Sequence, residues 1–131
     1  RQEERREALE TARARFSGSL HVEDLEGDIR RTWEAMRMRA NPNTGSCTLS
    51  SVSEELAERS MERGTSRDEA DAEAQVAAMV AALFLVNRGY ASIRQEDGMD
   101  GKVILKDLHP EERNFDILSE RLHPQEKMMG D

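Results

Sequence analysis

From Val76 to Val86 the chain reads Val-Ala-Ala-Met-Val-Ala-Ala-Leu-Phe-Leu-Val, without one polar or charged residue. This run is far short of the roughly 20 apolar residues that a membrane-spanning helix requires. As a helix it is apolar on nearly every face, and such a helix sits centrally in its fold, touched on several sides. Ser66-x-x-Glu69 is a capping box that opens it near residue 67, and Gly89 closes it. The larger members, Met79, Val80, Leu83, Phe84 and Val86, are expected to fill gaps between neighbouring elements. Truncation of Leu83 or Phe84 to Ala is then expected to cost about 2–5 kcal/mol. The rest of the chain has to supply thin, one-sided helices around this one, and 35% charged against 37% apolar residues fits that demand.

Those helices are legible from spacing. Val22, Leu25, Ile29, Trp33 and Met36 recur at steps of three and four and predict a helix over 22–39. Its first turns hold acids and its last turns arginines, which complements the helix dipole. Ala40-Asn41-Pro42-Asn43-Thr44-Gly45 breaks it, and Ser46-Cys47-Thr48-Leu49 reads as a short extended piece. A second capping box, Ser51-x-x-Glu54, predicts the start of a helix carrying Val52, Leu56 and Met61, with Gly64 at its end. Beyond Gly89 the period changes: Tyr90–Gln95 and Lys102–Lys106 are of strand length, joined by Asp97-Gly98-Met99-Asp100-Gly101. That pattern predicts a β-hairpin.

The ends are thinner. Residues 1–16 read as a charged helix whose stripe, Leu9, Ala12 and Phe16, is too narrow to fold alone and must lie on a neighbour or a partner. Ser17-Gly18-Ser19 ends it. Pro110 predicts the start of a last helix to about Leu122, with Phe115, Leu118 and Leu122 on one side, and 123–131 reads as a loose tail. Leu108-His109-Pro110-Glu111-Glu112 is echoed by Leu122-His123-Pro124-Gln125-Glu126, and both read as helix starts.

The expected fold is mainly α with a small β-hairpin: a winged helix-turn-helix over 20–107, preceded by a charged helical extension at 1–19 and followed by a C-terminal helix and tail at 108–131. A helical bundle with an incidental hairpin is the alternative. The chain opens Arg1-Gln2-Glu3-Glu4, without Met, and reads as a segment of a longer protein. It shows neither a secretory signal nor a membrane span, and its single cysteine, Cys47, permits no internal disulfide. An intracellular setting fits these features.

Winged helices commonly bind DNA, and charge weighs against it here. The chain carries 19 Lys and Arg against 27 Asp and Glu, a net charge of -8. Between Glu54 and Glu73 eight acids (Glu54, Glu55, Glu58, Glu62, Asp68, Glu69, Asp71, Glu73) face three bases (Arg59, Arg63, Arg67). The hairpin loop adds Glu96, Asp97 and Asp100. Phosphates are bound by Lys and Arg that release counterions, so both surfaces that usually meet DNA repel it. A protein partner is expected instead, with Asp68, Glu69, Asp71 and Glu73 as an acidic face. DNA binding would have to use Arg30, Arg31, Arg37, Arg39 and the N-terminal arginines.

Leu83-Phe84-Leu85-Val86-Asn87-Arg88-Gly89-Tyr90, then Ile93-Arg94-Gln95-Glu96 and Gly101-Lys102-Val103-Ile104, resembles the C-terminal winged helix of kleisins. Kleisins are the bridging subunits of the cohesin, condensin and bacterial SMC–ScpA complexes. Val22-Glu23-Asp24-Leu25 to Trp33 also looks like the first helix of the condensin form. The chain departs from the family pattern in Gly101-Lys102-Val103, where an acidic form is usual, and in its longer acidic stretch over 62–75. The resemblance implies an interaction module of a chromosome-organising complex, in the nucleus or nucleoid, whose wing and neighbouring strands dock on the ATPase head of an SMC protein. It places the contact among Tyr90, Ile93, Gln95, Met99, Val103 and Leu105, half of which must face the core. MarR-type regulators share the helix and wing order and stand second. A self-associating scaffold or viral structural domain, using Leu9–Phe16 as a seam, stands third.

No residue set points to catalysis, a cofactor or a metal. His21, His109 and His123 are scattered and read as surface or cap residues. Cys47 lacks a base at catalytic spacing and reads as a half-buried strand residue. Asp97 and Asp100 lack the rest of a calcium loop. Trp33 is expected in the core, and Tyr90 either there or in a contact.

Overall fold

Helical residues 3–9 are followed by α1 (Val22–Arg39), β1 (Ser46–Thr48), α2 (Leu49–Glu62), α3 (Arg67–Asn87), β2 (Ala91–Gln95), β3 (Val103–Asp107) and α4 (Phe115–Leu122). The structure is a computed structural model that describes residues 3–9, 22–96 and 101–123. The expectations for Ala12, Phe16, His21, Met99 and the tail beyond His123 lie outside the described residues. The chain is mainly helical with a small three-stranded antiparallel sheet.

Local chemistry places the helix ends. Thr48 caps α2, its hydroxyl accepting from Ser51 N at 3.1 Å. The helix therefore starts before Ser51, which serves in its first turn and donates to Thr48 O at 2.9 Å. The expected cap at Ser51 is corrected accordingly. Ser66 caps α3 by accepting from Glu69 N at 3.4 Å. At the other end Gly89, at φ +84°, lets Tyr90 N donate to Leu85 O and its own N–H to Val86 O, the paired bonds of a Schellman turn. Pro110 lies in a turn, not in a helix, because Asn114 supplies the cap that starts α4 at Phe115.

Ile29, Trp33 and Met36 on α1 meet Val52 of α2 and the small side chains of α3 in one apolar core. α3 presents Ala74, Ala78, Ala81, Ala82 and Leu85 inward, all buried. Alanine lets the neighbouring helices approach closely, and the buried side of α3 is accordingly built of small residues with Leu85 as its one large member. Met79 and Leu83 therefore face outward, 49% and 55% exposed, and only Phe84 of the expected gap-fillers packs against the core edge. The expected burial of Leu83 is overturned.

The sheet runs β1-β3-β2, with Cys47 opposite Leu105 and Ile93 opposite Leu105 on the other side. Its strands pack on α1, α2 and α3. α4 joins the same core through Phe115 and Leu118, and the Phe115 ring meets Trp33 and Tyr90 edge-on at 5.3 and 5.4 Å. The echoed histidines converge: His109 Nε2 lies 3.0 Å from Gly89 O, and His123 Nε2 lies 3.0 Å from Arg88 O. A carbonyl only accepts, so each ring donates to the end of α3.

Candidate functional site

β2 is an outer strand, paired on one side only among the described residues. Leu108 N donates to Tyr90 O and Glu96 N to Lys102 O. Because hydrogen-bonded pairs alternate in an antiparallel ladder, Ser92 and Arg94 face β3. The backbone groups of Ala91, Ile93 and Gln95 then point to the open edge. Ser92 through Gln95 are exposed, with Ile93 at 37% the apolar member. An edge of this kind is a template for a further strand from another chain.

The structure sorts the six residues proposed for the partner contact. Ile93 and Gln95 lie on the open strand, and Gln95 Nε2 also donates to Gly101 O at 3.2 Å, tying the hairpin base. Val103 is half-buried at the mouth of an open cleft of about 700 Å³ between the start of α2, the outward side of α3 and the hairpin. Glu54, Asp71, Met79 and Lys102 are among its walls. Tyr90 and Leu105 are fully buried. They support the sheet from inside and cannot touch a partner. Met99 lies outside the described residues.

The acidic run is not one face. Asp68 and Asp71 lie on the outward side of α3, while Glu73 lines a separate hollow with Arg59, Arg63 and Asp28. Glu69 is half-buried. On α2, Arg39 reaches across from α1 to Glu54, Glu55 and Glu58 at 3.3, 3.0 and 3.2 Å. Its hydrogen bond, with help from Arg59, holds the Glu55 carboxyl below the usual range. Arg39 lies outside the stretch 54–73 over which the acids outnumber the bases, so the local charge balance does not reveal this crossing. Arg30 pairs with Asp116, Arg31 with Asp28 at 2.6 Å, and Arg37 with Asp107 at 3.1 Å. The internal arginines that DNA binding would need are thus each already paired with acids.

Cys47 is buried, its thiol 3.7 Å from Met36 O, and burial pushes its pKa up to about 11. A nucleophilic thiol needs the opposite shift. A raised folded pKa leaves stability intact below the unfolded value and erodes it as pH climbs toward 11. The expected result is a loss of about 2–3 kcal/mol between pH 8 and 11 that is missing in Cys47→Ala, read from urea unfolding of both proteins at each pH. Equal pH dependence in the two would refute it.

Among the described residues no group of three or more His, Cys, Asp or Glu is placed to hold a metal, and no helix is long and apolar enough to cross a membrane. In comparison with known proteins, no family model, curated protein or solved structure matches the chain.

Proposed function

We propose that this chain is a non-enzymatic winged-helix interaction module of kleisin type, which docks on the ATPase head of an SMC protein in an intracellular chromosome-organising complex. The observation that carries the reading is the open edge of β2, where Ile93 and Gln95 offer backbone groups beside exposed side chains. The order helix, strand, helix, helix, hairpin agrees with a winged helix, β1 lying beside the inner hairpin strand. The residue pattern from Leu83 to Ile104 agrees with a kleisin.

Ile93→Pro tests the contact because it removes an outward N–H and leaves the β3 ladder intact. The wild-type chain should be retained by an immobilised SMC head from the same organism. Ile93→Pro should weaken that binding at least about tenfold, or 1.4 kcal/mol, with an unchanged circular dichroism spectrum. No retention by any such head removes the proposal, and full binding by Ile93→Pro removes the strand edge from it.

A further inference from the structure

We infer that the open edge of β2 is self-complementary, and that in the free chain it pairs antiparallel with β2 of a second copy about a twofold axis through Ile93. The edge is unguarded. Ala91–Gln95 pairs with Val103–Asp107 in unbroken register, so no bulge bends it away. Its outward residues, Ala91, Ile93 and Gln95, bring neither charge nor proline, two of the devices that keep a sheet edge single. Arg94 is the one charged residue of the strand, and Glu96 lies 3.7 Å from it. Ile93 stands opposite the buried Leu105, on the helix side of the sheet, yet it is 37% exposed at the unpaired edge.

The strand's own residues choose the register. In an antiparallel ladder, outward residues of one copy must meet outward residues of the other. An axis at Ile93, the middle of β2, sets Ile93 against Ile93 of the second copy and Ala91 against its Gln95, so every outward residue of the strand is bonded. Ser92 then meets Arg94 of the second copy, hydroxyl to guanidinium, and no charge stands directly opposite its like. Moving the axis to Arg94 would oppose two guanidinium groups. Moving it to Ser92 or Gln95 would leave an outward residue with no mate in the strand. The pairing is isologous and covers both β2 edges at once, so it stops at two chains. Five residues a side make a contact below standard interface size, which gives a monomer–dimer equilibrium and not a permanent dimer. With a net charge of -8 on each copy, added salt screens repulsion and favours the pair. The inference rests on the same open edge as docking on an SMC head and makes the two compete. It is measured on the chain alone, so the two fail separately.

The test uses the full chain carrying Ile93→Cys or Gln95→Cys, treated with diamide, which takes up the two thiol hydrogens as a disulfide forms. Hydrogen-bonded mates in an antiparallel ladder stand about 5.5 Å apart at Cα, within disulfide reach. Gln95 and Gln95 of the second copy are offset by four residues along the ladder, about 13 Å, which is out of reach. Ile93→Cys should therefore give at least about tenfold more covalent dimer than Gln95→Cys on a non-reducing gel. Cys47 is buried and common to both variants. Light scattering of the wild type should show a mass that rises with concentration, more steeply in high salt, while Ile93→Pro stays monomeric. Equal cross-linking at the two positions, or more at Gln95→Cys, overturns the twofold at Ile93. A wild-type mass that stays monomeric throughout overturns the pairing. A dimer that survives Ile93→Pro also overturns it, since it would belong to another face. Ile93 and Gln95 are exposed, and circular dichroism of each variant verifies folding.

Discussion

Asp107→Ala should lower the unfolding free energy by roughly 3–5 kcal/mol, the cost of leaving a buried charge without its partner. The Asp107 side chain is 5% exposed at the end of β3, and Arg37 Nε lies 3.1 Å from its Oδ2. The angle at that N–H falls outside hydrogen-bond geometry, so the contact is ionic. The other carboxylate oxygen accepts from His109 N at 3.0 Å, and Arg37 also donates to His109 O. The guanidinium lies 4.0 Å above the Trp33 ring, locked between α1 and the sheet. Removing the carboxylate strands this cation and an amide N–H together. Arg30→Ala, which breaks an exposed pair with Asp116, should cost no more than about 1 kcal/mol. Chemical denaturation of the two variants gives the comparison, and similar losses would refute the distinction.

Leu85→Ala should cost about 2–5 kcal/mol, while Leu83→Ala, two residues earlier, should stay within about 0.5 kcal/mol. Leu85 is fully buried in the main core with Ile29, Met36 and Tyr90, so its loss leaves a cavity where the helices meet the sheet. Leu83 faces solvent, and truncation there removes few contacts. Thermal and urea unfolding with an unchanged denaturant slope would show the contrast as stability alone. If Leu83→Ala proved as costly as Leu85→Ala, the orientation of α3 described above would be wrong.

These two residues also mark where sequence reasoning stops. The run from Val76 to Val86 announces a helix but hardly any side of it, because an apolar stretch without a polar face has no periodic contrast to read. The small residues carried the missing signal: Ala70, Ala74, Ala78 and Ala82 recur every fourth position and line the buried side. Tyr90 and Leu105 posed a similar ambiguity. Strand alternation separates two faces, but only packing against α4 and β1 tells which of them is inside.

The sequence by itself determined the local elements. The bounds of α1, the capped start of α3, the Gly89 stop and the pairing of two hairpin strands follow from spacing, caps and turn residues within a few positions of each other. Tertiary structure alone decided how charge is distributed. Arg39 meets Glu55, Arg37 meets Asp107 and Arg88 meets Glu26 at 3.0, 3.1 and 2.7 Å, each pair joining distant parts of the chain. Periodicity describes one element at a time, whereas an ion pair between elements depends on how they cross. For that reason an acidic run that reads as a single surface is divided in the fold between Arg39, the hollow at Glu73 and the outward side of α3 at Asp68 and Asp71.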